Sequence, residues 1–349
     1  MAQTRGEKVG ETGGYRMRGE AKGSKTTRIE VVTEGILTRM IQGDPSLEGV
    51  GAVIFDEFHE RSLNADLGLA LVWEVRGALR EDLVVLVMSA TLDAEPVAAM
   101  MDAPIVTSEG RSFPVEMRWL ERPISKGVRF ESAVAALIEQ AVAETEGGVL
   151  VFLPGEGEIR RVEGALKVAE CDVRPLFGAM DFKAQRAAIG PSDRRKIVLA
   201  TSIAETSLTI PDIRVVVDAG RARRARFDPN SGMSRLVTER VTKAEAIQRA
   251  GRAGRVAEGV CYKLWTKGED GGLLAFPPAE IEAADLTGLV LELALWGAAP
   301  GDLAFLTVPP ARAFEEAQDL LRMLGALDAD GRLTDHGRAL AALPQPPRL

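Results

Sequence analysis

Two stretches of this 349-residue chain combine residue types and spacings that could do chemistry. The first is Asp56-Glu57-Phe58-His59-Glu60-Arg61, directly after the apolar run Ala52–Phe55. Acidic residues at the carboxyl end of a buried parallel strand sit where α/β sheets place their ligands. Two adjacent carboxylates there suit Mg²⁺, which takes one or two carboxylates plus water and phosphate oxygens. Asp56 would hold the metal through water, and Glu57 would orient or deprotonate an attacking water. An Asp-Glu pair by itself is more often a solvated acidic helix start. His59-Glu60 opens a zinc-protease pattern, but Leu63 occupies the place of the second histidine and the only other one is His336, so no zinc site is expected. The second stretch is Gln248-Arg249-Ala250-Gly251-Arg252-Ala253-Gly254-Arg255. Arg252 and Arg255, three apart on one helical face, could reach one phosphate tail, and the glycines permit close backbone approach. An arginine used in this way contributes roughly 10³–10⁵ in rate. A basic surface turn is the plain alternative.

These residues need a scaffold, and the apolar periodicity supplies one. Ile29–Val32, Ala52–Phe55, Val84–Met88 and Ile105–Thr107 read as buried strands, with helices over Glu34–Gln42, Ala65–Leu79 and Pro96–Met101, which together make a parallel α/β layer. After a boundary at Arg111–Pro114 a second series follows. Its strands are Val115–Leu120, Val149–Leu153, Ile197–Ala200 and Val215–Asp218, and its helices lie near Glu131–Glu144, Glu156–Leu166 and Asp181–Ala188. Beyond Phe276–Pro278, Leu286–Trp296 and Ala311–Leu324 have helical spacing and Gly325–Thr334 reads as a turn with a short hairpin, which suggests a small helical or winged-helix domain.

With 46% hydrophobic and 27% charged residues the composition is that of an ordinary globular chain, and no apolar run reaches the ~18 residues of a membrane span. Two distant cysteines, Cys171 and Cys261, imply no disulfide framework. With no apolar export segment at the polar, basic N-terminus, a reducing cytoplasmic setting is expected. The net charge of -8 is unevenly spread: Arg214–Arg255 carries 11 Arg and Lys against 4 Asp and Glu, whereas Val256 onward has 7 against 14. A basic working surface on an acidic body is one reading, a solvated arginine face the other.

Asp56-Glu57-Phe58-His59 resembles motif II of the DEAH-box (DEAH/RHA) superfamily-2 helicases, with Phe in place of Ala. Ser89-Ala90-Thr91 is similar to motif III, Ala200–Ile210 to motif V, Gln248–Arg255 to motif VI, Thr33-Glu34-Gly35 to motif Ib and Leu150–Gly155 to motif IV. The order and spacing cover nearly the whole chain and resemble the bacterial HrpB subgroup. The resemblance implies two tandem RecA-like parallel-sheet domains, the first incomplete, followed by a winged helix. The implied limits are 1–111, 112–274 and 275–342, with 343–349 opening a further helical domain. It implies ATP and Mg²⁺ as cofactors, with Asp56 and Glu57 serving metal and water, and His59 coupled to Gln248. Ser89 and Thr91 would link nucleotide state to domain movement, and Gln248, Arg252 and Arg255 would face the γ-phosphate. Thr33, Gly35, Thr201 and Ser202 would touch the nucleic-acid backbone, which the resemblance implies is RNA rather than DNA. Arg223–Arg240 is similar to the strand-separating hairpin, with Arg223, Arg224 and Arg226 on nucleic acid. A monomer without membrane contact is implied.

The family's Gly-x-x-x-x-Gly-Lys-Ser/Thr phosphate loop has no counterpart, since no Gly-Lys dipeptide occurs among the 349 residues. Lys22-Gly23-Ser24-Lys25-Thr26 has the wrong spacing. The expectation is a chain cut at both ends that does not turn over nucleotide alone. The alternatives are a non-catalytic nucleic-acid-binding module or an unstable gene remnant.

Overall fold

The computed structural model describes residues 2–90, 94–108, 110, 112–205, 210–228, 231–343 and 347. The chain divides into two compact units, residues 1–105, 227–234 and 278–349 making the first and 106–226 and 235–277 the second.

In the first unit a single turn, α1 (Ala2–Arg5), precedes β1 (Gly13–Met17), β2 (Glu20–Lys22) and β3 (Ile29–Val32), a three-stranded sheet in the order β2-β1-β3. β3 runs parallel to β1, with Tyr15 opposite Val31. This corrects the expectation that Ile29–Val32 shares a layer with Ala52–Phe55: the polar β1–β2 hairpin, which has no apolar period to betray it, satisfies the β3 backbone. α2 (Glu34–Gly43), β4 (Ala52–Phe55), α3 (Leu63–Ala78), β5 (Val84–Val87) and α4 (Glu95–Met101) follow. β4 and β5 pair in parallel, Ile54 opposite Leu86, which requires the long crossover that α3 provides. Val53 and Phe55 turn into the core with Leu67, Leu71 and Val75, while Ile54, Val84 and Leu86 lie exposed on the other face. Ile105–Thr107 is not a strand; the short run finds no neighbouring ladder, and Val106 is 89% exposed.

The second unit contains β6 (Val115–Leu120), α5 (Phe130–Glu144), β7 (Gly148–Phe152), α6 (Glu156–Ala165), β8 (Cys171–Leu176), α7 (Phe182–Ile189), β9 (Arg195–Ala200) and β10 (Ile213–Asp218). β11 (Arg221–Asp228) and β12 (Met233–Arg240), apart from their residues within 227–234, then α8 (Lys243–Gly251), β13 (Gly259–Thr266) and α9 (Lys267–Gly271) complete the series. Six strands form one sheet in the order β6-β13-β10-β7-β9-β8, every ladder parallel. Parallel sheets are covered on both faces, so their strands read as continuous apolar runs whose alternate residues enter two cores. Val149, Val151, Ile197, Leu199, Val215 and Val217 join Ile138 of α5 and Ile159 of α6 on one side. Leu150, Phe152, Val198, Ala200 and Val216 join Ala188 of α7 and Ala250 of α8 on the other.

α10 (Thr287–Trp296), α11 (Ala311–Met323), a bridge between Leu327 and Leu333, and α12 (Asp335–Ala342) return to the first unit. Their Leu289, Leu293 and Leu321 share one core with Ile41 and Leu71. Among the described residues no helix is long and apolar enough to cross a membrane.

Candidate phosphate and nucleic-acid sites

The acidic turn in the first unit is stitched to the end of β5. The Met88 N–H donates to the Phe55 carbonyl at 2.7 Å, and the Phe58 N–H donates to the Met88 carbonyl at 3.0 Å. Glu57 and Arg61 both take left-handed backbone angles, φ 50° and 49°, which cost a non-glycine residue about 1–3 kcal/mol each and cluster at functional sites. Asp56 is exposed and accepts the Glu57 N–H at 2.9 Å. His59 Nδ1 accepts the Ala90 N–H at 3.3 Å. Nδ1 also lies 3.5 Å from the Glu57 carboxylate. The bond joins the acidic turn to Ser89-Ala90; Thr91 lies outside the described residues. Among the described residues no three His, Cys, Asp or Glu side chains are grouped as a metal cage. Two carboxylates fit an ion that draws its other ligands from water and phosphate.

Arg61 anchors this turn. It grips Asp66 with two hydrogen bonds, 3.0 and 3.1 Å, and donates to Thr307 Oγ1 at 2.8 Å. Burial raises the Asp66 carboxyl, against the lowering pull of Arg61. Ser62 caps α3 by accepting the Ala65 N–H and donates to Glu34 at 2.6 Å, which ties the Thr33-Glu34-Gly35 turn to the acids. Burial likewise raises the Glu34 carboxyl, despite the Ser62 bond. Thr33 is the exposed N-cap residue of α2 and makes no side-chain cap bond; Gly35 lies in the first turn.

In the second unit α8 starts with a Thr242–Glu245 capping box, which fixes the helix that ends in the arginines. Arg252 and Arg255 do not lie on an α-helical face as expected: a 3₁₀ turn runs over Arg252–Gly254. Arg255 follows that turn as its C-cap residue. Arg252 is buried and donates to the Glu205 carbonyl, whereas Arg255 is exposed. The two glycines differ. A Cβ on Gly254 would meet the Phe113 carbonyl at 2.4 Å, while one on Gly251 meets nothing within 4 Å. Thr201 caps a 3₁₀ turn (Ser202–Ala204) at the end of β9 without a side-chain cap bond, and Ser202 is exposed. Sequence reasoning passed over Arg249, which is 1% exposed and held by Glu205 and Asp218. Its place in the Gln248–Arg255 motif carried no role, and its partners Glu205 and Asp218 lie far off in sequence.

β11 and β12 form a two-stranded sheet, and its arginines are largely paired. Arg223 meets Glu158 at 3.2 Å, Arg224 meets Glu239 at 3.1 Å, and Arg226 grips Glu239 with two bonds of 2.8 Å. The positive charge counted along this stretch is thus partly cancelled, some of it by Glu158 from outside the stretch. Arg224 is also held by the Glu245 carboxylate, so Glu239→Gln is expected to release Arg226 alone and tighten single-stranded RNA binding, steepening the log-affinity against log-salt slope by about 0.7 for the phosphate newly neutralised. Fluorescence anisotropy across KCl concentrations checks this; an unchanged slope counts against an RNA-facing hairpin. The Arg226 guanidinium holds the Glu239 carboxyl below its ordinary range. The pair's contribution is therefore present above the unfolded value of about 4.3 and lost as pH falls through the lower native one.

The strand-end Asp-Glu turn wired to Ser-Ala, and the arginine-glycine turn beside a parallel sheet, accompany strong homology to the DEAH-box helicases over the full length of this chain. Residues 132–257 match the helicase conserved C-terminal domain and 317–344 the winged-helix helicase-associated domain, so the six-stranded sheet is a RecA-like domain. The chain is 49% identical, over 100% of its length, to the ATP-dependent RNA helicase HrpB of Escherichia coli K12, of which it covers 44%. It is 36% identical over 96% of its length to the pre-mRNA-splicing factor ATP-dependent RNA helicase prp22 of Schizosaccharomyces pombe, covering 30% of that protein. The crystal structure of the Escherichia coli DEAH/RHA helicase HrpB superposes with a TM-score of 0.91 at 49% identity, over 98% of this chain and 44% of that one. The chain thus spans less than half the length of these relatives.

Proposed function

We propose that this chain is part of the motor of an HrpB-type ATP-dependent RNA helicase, and that by itself it binds RNA without turning over nucleotide. The arginine turn carries the reading: Arg255 is exposed, Arg252 is fixed beside it, and Gly251 leaves open space for an approaching phosphate. Arg252 and Arg255, with Gln248, serve the γ-phosphate. Asp56 and Glu57 would hold Mg²⁺ and orient water, and the ion when bound would neutralise phosphate charge. Ser89 and Thr91 relay nucleotide state. Thr33, Gly35, Thr201 and Ser202 touch the RNA backbone, which carries no sequence information. The lack of any Gly-Lys dipeptide within the chain supports the absence of turnover, because the phosphates need a loop lysine and its amides. A monomer in the cytoplasm completes the reading. The test is phosphate release together with RNA retention. Unrelated single-stranded RNAs are expected to bind with similar affinity at low salt and to add no ATPase activity. RNA-stimulated phosphate release would contradict the second half of the reading, and absence of RNA binding the first.

A further inference from the structure

Three charged side chains meet in the second unit where almost no water reaches. Arg249 is 1% exposed, Asp218 0% and Glu205 8%. The Arg249 Nε–H donates to Glu205 Oε1 at 2.7 Å, and its NH1 group donates to Asp218 Oδ1 at 2.8 Å and to the Arg221 carbonyl at 3.2 Å. The guanidinium carbon lies 5.1 Å from the Phe152 ring centroid. Asp218 Oδ1 also accepts the Gly220 N–H, and Oδ2 is buried without a hydrogen-bond partner.

Such a triad is a poor device for stability alone. Removing charges from water costs several kcal/mol per ion, and apolar replacements of similar volume are often as stable or more so. α8 is already held by its capping box and by buried Ala246 and Ala250. What the triad adds is direction, because a planar guanidinium bonding two carboxylates admits one arrangement. Glu205 closes the 3₁₀ turn that begins at Ser202, its N–H donating to the Ser202 carbonyl at 2.8 Å. Its carboxylate takes Arg249 and its carbonyl takes Arg252. One residue next to the Thr201–Ser202 turn is thus gripped by two of the motif's three arginines.

We propose that Arg249 is a positioning residue, which clamps Glu205 against Asp218 and so holds Thr201 and Ser202 where an RNA backbone is bound. The inference rests on the assignment of RNA to that turn. The test compares RNA affinity and thermal melting for the whole chain, Arg249→Met, Arg249→Lys, and an apolar triple variant, Glu205→Met/Asp218→Leu/Arg249→Met. Arg249→Met should lower both readouts. The triple variant should recover the melting temperature yet bind RNA about tenfold more weakly than the original, the weight of one or two hydrogen bonds to a charged group. Recovery of affinity together with melting overturns the proposal. Should the triple variant not fold, Arg249→Lys decides: lysine keeps the charge but cannot fork between two carboxylates, so a several-fold loss of affinity is expected and original affinity overturns the proposal. Absence of RNA binding by the original chain is a separate result, which removes the RNA assignment and the clamp's role with it.

Discussion

Arg61→Met is expected to destabilise the first unit by about 3–5 kcal/mol, because it leaves the Asp66 carboxylate buried without its counter-ion. The Asp66 side chain is 0% exposed, and Arg61 supplies both of its guanidinium bonds as well as the tie to Thr307. Burial then raises Asp66 unopposed, with Glu280 and Glu282 pushing the same way. A carboxyl whose native value is raised holds its proton longer when folded. Stability from this group is therefore complete below the unfolded value of about 3.9 and is lost as pH rises through the native value. The deficit of the variant should accordingly be larger at pH 8 than at pH 5, as urea unfolding at the two pH values would report. Equal deficits would mean that the cost comes from lost packing over Phe58, whose ring lies 5.8 Å from the guanidinium.

Gly254→Ala is the second large effect. Its Cβ would fall 2.4 Å from the Phe113 carbonyl and 2.8 Å from Val115 Cγ2, so β6 or the arginine turn must move. Overpacking of this kind costs about 1–3 kcal/mol or more. Gly251→Ala meets open space at the end of α8 and is expected to leave stability unchanged or raise it by up to about 1 kcal/mol, the helix preference of alanine over glycine. The pair separates two roles of glycine in one motif. If Gly251→Ala melts normally yet weakens binding, its Cβ blocks a ligand. If Gly254→Ala melts like the original, the close approach to β6 is wrong.

Much of the fold was legible. Val149–Leu153, Ile197–Ala200 and Val215–Asp218 announced themselves as central strands because both of their faces are buried. β8 escaped because it is the edge strand of its sheet, half-buried and interrupted by Asp172, Arg174 and Pro175. β13 was hidden by Lys263, a charge that breaks an apolar run. Its ammonium is matched by Asp270 at 2.9 Å and lies 5.1 Å and 5.2 Å from the Trp119 and Trp265 rings. The acids and arginines were legible from their motifs, but their supports were not. Arg61 reaches Thr307, and Glu205 and Asp218 meet Arg249, all distant in sequence, while Glu158 quenches Arg223 from outside the counted stretch.

The turn after β9 is the most direct place to ask whether this chain grips RNA as a helicase does. A Thr201→Val/Ser202→Ala variant removes two hydroxyls and no charge. It should weaken binding of unrelated single-stranded RNAs alike by about tenfold, with its melting temperature and salt slope unchanged. Undiminished affinity in a normally folded variant would contradict the account.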